Sequence, residues 1–140
     1  MNRKRRTEIL IKSENDLAKK LADDIRGKYE IKEIEAPNHG LVMIKIRETA
    51  KKELFYLGEI LVTEAKVYIE GILGMGIVAG DREDLALNLA IIDATYKNNL
   101  EETKSWGYLL LKEETQIRKR EIEIEAGILK TKVDFTTMDI

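Results

Sequence analysis

The 140-residue chain has no cysteine, one histidine and two serines, Ser13 and Ser105. Without cysteine there is no disulfide, no thiol nucleophile and no thiolate-bound metal. One histidine, His39, cannot build a histidine-rich metal centre or a histidine relay. No apolar run approaches the ~20 residues that span a bilayer. The basic start, Arg3, Lys4, Arg5 and Arg6, leads into Ile9-Leu10-Ile11, which stops at Lys12 and is too short for a signal peptide's apolar core. Neither sign of charge is in surplus: 24 Lys and Arg face 26 Asp and Glu, for a net −2. That removes the simple case for a nucleic-acid binder. These absences predict a cytoplasmic chain with no membrane or nucleic-acid partner, and they disfavour a self-contained catalytic site. What is present, 44% hydrophobic residues among 36% charged ones, suffices for one core. The expectation is a single domain over residues 1–140.

Leu10, Leu17, Leu21 and Ile25 share a helical face. Ser13 and Asp16 form a capping pair, which leaves open one helix or two, and Gly27 is placed to end the segment. The basic start reads as a solvated, frayed end, because positive charge opposes the dipole at a helix N-terminus. Strands follow: 29–35, a Pro37-Asn38-His39-Gly40 turn, and 41–47 with Val42, Ile44 and Ile46 on a half-buried face. Gly58 marks a bend, and in 64–70 Ala65, Val67 and Ile69 face one way. After a turn at Gly71 comes a last strand, 72–79. Short consecutive strands predict an antiparallel meander. The fold class expected is α+β: a sheet of about four to five strands, helices on one face, and helical N- and C-terminal segments.

A helix is expected from about Arg82 to Asn98, capped by Asp81 with Asp84 three places on. Leu85, Leu89, Ile92 and Tyr96 form one stripe; Leu87, Ala90, Ile91 and Ala94 form another. Two stripes need cover on both sides, the sheet on one and another helix or chain on the other. Leu87, Ile91 and Ala94 are therefore candidate partner contacts, and a homodimer of the isolated chain follows. The last third leaves helix and strand open for 108–130, with Tyr108 to Leu111 a strand or packed turn and a lean toward helix beyond Glu113.

Chemistry-bearing patterns are weak. The stretch Gly71 to Gly80 departs from phosphate-loop spacing, and Asp81, Glu83 and Asp84 crowd the helix start that a phosphate would need. Glycines that admit a close backbone neighbour explain it better. His39 reads as an exposed turn histidine. Asp93, mid-helix beside apolar residues, needs a hydrogen bond or salt bridge. Trp106 and Tyr108 read as core or interface anchors, with no basic patch to make them a base-stacking platform. No catalytic, cofactor-binding or metal-binding residue is nominated.

Three segments in series carry a resemblance: Phe55 to Val67 (FYLGEILVTEAKV), Gly71 to Asp84 leading to Ile92-Asp93-Ala94, and Lys132 to Met138 (KVDFTTM). In order and spacing the chain resembles PhnG, a small subunit of the bacterial carbon–phosphorus lyase machinery, from about Gly40 to Met138. Thr136 stands where the family has a second aromatic. The resemblance implies an accessory, non-catalytic subunit supporting displacement of adenine from ATP by a phosphonate, giving a ribose 1-phosphonate 5-triphosphate (ribose 1-methylphosphonate 5-triphosphate synthase). It implies a large PhnI-like nucleosidase partner, no cofactor of its own, and ATP with Mg²⁺ as substrate of the complex. Two other readings remain: a stand-alone nucleotide- or phosphate-binding enzyme, and a generic dimeric interaction module. The terminal stretch 133–138 is apolar and β-prone, and Val133, Phe135 and Met138 are expected to dock on the sheet, a second copy or the partner.

Overall fold

The residues expected to turn at 37–40 do not turn the chain. In the computed structural model they lie within one long strand, β1 (Ile31–Arg47), antiparallel to β2 (Leu54–Ile69). The pairing shifts register between Glu33 and Glu35 and again between Glu35 and Asn38, so Pro37 falls where the ladder is already interrupted. β1 is also an edge strand, where proline is tolerated. The expected strands 29–35 and 41–47 thus run together as the two halves of β1. Gly58 likewise marks a register shift inside β2, opposite Ile44, and not a bend before it. β3 (Ile72–Ala79) follows a two-residue turn at Glu70 and Gly71, both with positive φ, and completes the order β1-β2-β3. The structure describes residues 1–47 and 54–138, with side chains except at 35–36, 46–47, 54–57 and 129–138.

Among the described residues four helices complete the α+β fold: α1 (Arg3–Lys12), α2 (Leu17–Arg26), α3 (Glu83–Lys97) and α4 (Thr103–Met138). α3 lies on one face of β2 and β3, and α1 and α2 pack on α3 from the other side. Glycine permits the close approach. A Cβ built at Gly74 would collide with the Ala90 carbonyl and the Ala94 side chain; one at Gly76 would collide with the Ala86 carbonyl and Ala90 amide. Ala86, Ala90 and Ala94, four residues apart, are the smooth ridge that meets those glycines. This geometry corrects one expectation. Ile91 and Ala94 are buried and Leu87 half-buried within the chain. Their stripe lies on the sheet side of α3, where Ala90 and Ala94 meet Gly74. α1 and α2 cover the other stripe, with Leu10 beside Leu89 and Ile92 and Arg6 on Tyr96. The argument for a dimer through this face falls with it.

α1 and α2 are separate helices. The chain breaks at Asp16, whose φ is 52°, while Ser13 Oγ accepts from the Asn15 and Leu17 amides. α2 buries Leu17, Ala18, Leu21, Ala22 and Ile25 and ends at Gly27. Residues 108–130 are helix throughout, including Tyr108 to Leu111, and the β-prone stretch 133–138 forms the last turns of α4. Trp106, Leu110, Glu113 and Ile117 give α4 a buried stripe at helical spacing. The period-two look of 121–125 has no structural counterpart, since Ile122 and Ile124 are both exposed. Among the described residues no helix is long and apolar enough to cross a membrane.

Candidate functional site

The free edge of β3 is closed by side chains, and there the charged residues of the N-terminus converge. α3 brings Asp93, 6% exposed at its side chain, against this edge. The Met75 amide donates to Asp93 Oδ2 at 3.0 Å. Lys97 Nζ stands 3.0 Å from the same carboxylate, Arg3 Nε 3.2 Å and Arg6 Nη2 3.9 Å. Arg3 also donates to the Met75 carbonyl and Lys97 to that of Leu73. Side chains thus occupy edge groups that would otherwise invite a further strand. Asp93 is therefore the hydrogen-bonded, ion-paired carboxylate that its mid-helix position requires.

Arg6 is buried, its guanidinium 3.8 Å from the centre of the Tyr96 ring. Tyr96 in turn meets Trp106, with ring centroids 5.8 Å apart. Burial pushes the Arg6 pKa down, against the pull of Tyr96 and Asp93. It pushes the Tyr96 phenol up, and Arg6 opposes this. Arg5 makes a two-pronged bond to Glu114 on α4, at 2.7 and 2.6 Å. The basic start is thus docked and not a frayed, solvated end. Asp93 and Glu114 supply the counter-charges that sequence reading missed. Two signals were there: Asp93 needed a partner, and Arg3, Arg6 and Leu10 share one helical face. A cleft of about 460 Å³ opens beside this cluster, between α1 and β3.

At the start of α3, His39 Nε2 lies 2.7 Å from Asp81 Oδ1 and 3.8 Å from Glu83 Oε1. Asp81 does not cap the helix: the N-cap position is Arg82, without a side-chain bond. Thr63 Oγ1 instead accepts from the Arg82 amide and donates to the Gly80 carbonyl, fixing the turn that Gly80 makes at φ 87°. Ligand atoms of His39, Asp81 and Glu83 lie within 4.8 Å of one another. This trio has the donor types of a divalent-cation site, but it is exposed, and its pairs also tie β1 to α3. The glycine stretch is packed under α3 and leaves no loop to cradle a phosphate.

A second candidate surface is apolar. Beyond α3, β1 and β2 continue as a two-stranded arm. Leu41, Met43 and Leu61 are 64%, 55% and 41% exposed, and Val42 and Ile60 on the opposite face are also open. This corrects the half-buried strand expected around Val42, because no helix reaches this far. α4 behaves alike past Ile117, with Ile122, Ile124 and Ile128 exposed. The side chains of Val133, Phe135 and Met138 lie outside the described residues.

Against known proteins, the sequence matches the family described as phosphonate metabolism protein PhnG over residues 1–139. None of the curated proteins matches it. The chain belongs to the PhnG family, which gives it a role in phosphonate metabolism as a subunit of the carbon–phosphorus lyase complex.

Proposed function

We propose that this chain is the accessory subunit of the step that transfers a phosphonate onto C1 of the ATP ribose. A phosphonate oxygen bonds to that carbon, the glycosidic C–N bond breaks, and adenine leaves. A PhnI-like nucleosidase subunit carries the displacement, with ATP and Mg²⁺ as substrates of the complex; this chain supplies no catalytic group or cofactor of its own. The observation that carries the reading is the apolar arm. Leu41, Met43 and Leu61 on one face, and Val42 and Ile60 on the other, leave apolar surface exposed on both sides of a β-ribbon that the chain's own helices do not cover, the signature of a contact surface. We assign partner binding to this arm, and self-association of the isolated chain to the same surface.

The test mixes the purified chain with the nucleosidase-like subunit, ATP, Mg²⁺ and methylphosphonate, and follows adenine release. Release is expected on mixing and not from the chain by itself. Leu41→Ser with Met43→Ser should weaken partner binding about tenfold or more, as loss of interface anchors does. Turnover by the chain alone, abolished by His39→Ala or Asp93→Ala, would replace this reading with a stand-alone enzyme.

A further inference from the structure

We propose that the cleft between α1 and the free edge of β3 binds a small organophosphonate. Three cations, Arg3, Arg6 and Lys97, surround one carboxylate, Asp93, and the cleft itself is lined by Arg3, Lys4 and Arg6 against Glu8 and Asp93, a surplus of one positive charge. Arg6 lines the cleft and is 7% exposed, yet among the described residues its guanidinium makes no hydrogen bond: one face rests on Tyr96, and Asp93 stands off at 3.9 Å. The guanidinium nitrogens are open to the cleft, and a guanidinium is shaped to grip two oxygens of one oxyanion. Thr7 stands on the polar side between Lys4 and Glu8. Its hydroxyl donates to the Arg3 carbonyl, so its lone pairs face outward as acceptors for a P–OH group.

The remaining wall is apolar: Leu10, Met75, Ile77, Leu89 and Ile92. It would receive a carbon substituent, which inorganic phosphate lacks. A volume of about 460 Å³ lies in the range of small-molecule sites. A carboxylate with an apolar body shares the head chemistry and the single charge, but it offers two oxygens where a phosphonate offers three, one of them as the P–OH that meets Thr7. Burial's downward pull on the Arg6 pKa agrees, since a bound anion would relieve it. The choice of a phosphonate also rests on the chain's role in phosphonate metabolism. It does not depend on assembly with a partner, so failure here leaves the accessory-subunit reading standing, and the converse holds.

The test is calorimetric titration of the purified full chain at neutral pH and low salt with phenylphosphonate, benzoate and inorganic phosphate. Saturable binding of phenylphosphonate is expected, about tenfold tighter than that of phosphate or benzoate, because each competitor lacks one of the two recognised features. Arg3→Gln and Ile77→Asp, both at exposed positions, should each weaken it about tenfold with an unchanged melting temperature. Arg6→Lys keeps the charge and loses the fork, and should weaken it if the variant folds; the two exposed variants decide in any case. No saturation by about 10 mM, a range where millimolar affinities would show, would overturn the proposal. So would phosphate binding as tightly as phenylphosphonate, or an Arg3→Gln chain binding like the parent. Benzoate binding as tightly as phenylphosphonate would overturn the assignment to phosphonates.

Discussion

β2 passes through two different regions, and its burial changes where α3 ends. Thr63, Ala65, Val67 and Ile69 lie under the helix and are all but inaccessible. Ile60 and Leu61, a few residues earlier in the same strand, are about 40% exposed. α4 repeats the contrast, with Trp106, Leu110 and Ile117 buried and Ile122, Ile124 and Ile128 open. The apolar content is similar on both sides of each boundary; the cover is not. An apolar stripe says which residues can be buried, and a second element decides whether they are. In this chain the covered half holds the buried charges and the uncovered half holds the apolar surface, so ligand chemistry and partner chemistry fall in different places.

The largest effect should come from the covered half. Gly76→Val would drive a branched side chain into the backbone of α3, costing about 3 kcal/mol or more, toward the upper end of overpacking because backbone cannot step aside. Leu41→Ser on the arm should change stability by no more than about 0.5 kcal/mol. Urea midpoints of the two variants measure the difference. Equal midpoints would mean that α3 does not sit on β3 in solution and that the contrast between regions is false.

A smaller loss is expected at the charged cluster. Asp93→Ala leaves Arg6 buried without its counter-charge and the Met75 amide without its acceptor, and breaking such a pair costs about 3 kcal/mol. A loss below about 1 kcal/mol, at the level of an exposed ion pair, would show that water reaches the cluster freely.

These effects also mark how far the sequence could be read. The antiparallel α+β class, the turn at Gly71, the inward set Ala65, Val67 and Ile69, and the need of Asp93 for a partner are all local properties of spacing and residue type. Pro37 misled because proline signals a turn by what it cannot donate, and an interrupted edge strand asks for no donor. α3 was read correctly as needing cover on two sides, but periodicity cannot tell a helix of the same chain from another chain. Arg6 meeting Asp93 joins positions 87 residues apart, as their numbers give. No spacing rule reaches that far. The exposed arm was hidden for the same reason: alternation in Leu41 to Arg47 promises a buried face, and the helix that would bury it ends too soon.

The smallest effect lies where α4 leaves the covered half. There Arg5 bonds to Glu114, and the bond holds the Glu114 carboxyl below the usual glutamate range, with the charge of Arg5 adding to it and burial opposing it. The folded chain therefore binds that proton more weakly than the unfolded chain does. Its contribution to stability is complete above the ordinary glutamate value of about 4.3 and disappears as pH falls through the lower folded value. Arg5→Gln should thus lower the urea midpoint at neutral pH, and the gap from the parent should close on acidification below about pH 4. The bond is near the surface, so added salt should narrow the gap as well. Ile124→Ser, on the open stretch of α4, should show no gap at either pH. If Arg5→Gln left the neutral midpoint unchanged, or kept the same deficit in acid, the Arg5–Glu114 bond would not be what fastens α4 to α1, and the boundary between the two regions would have to be drawn at Glu113 and its bonds to Ser13 and Asn15.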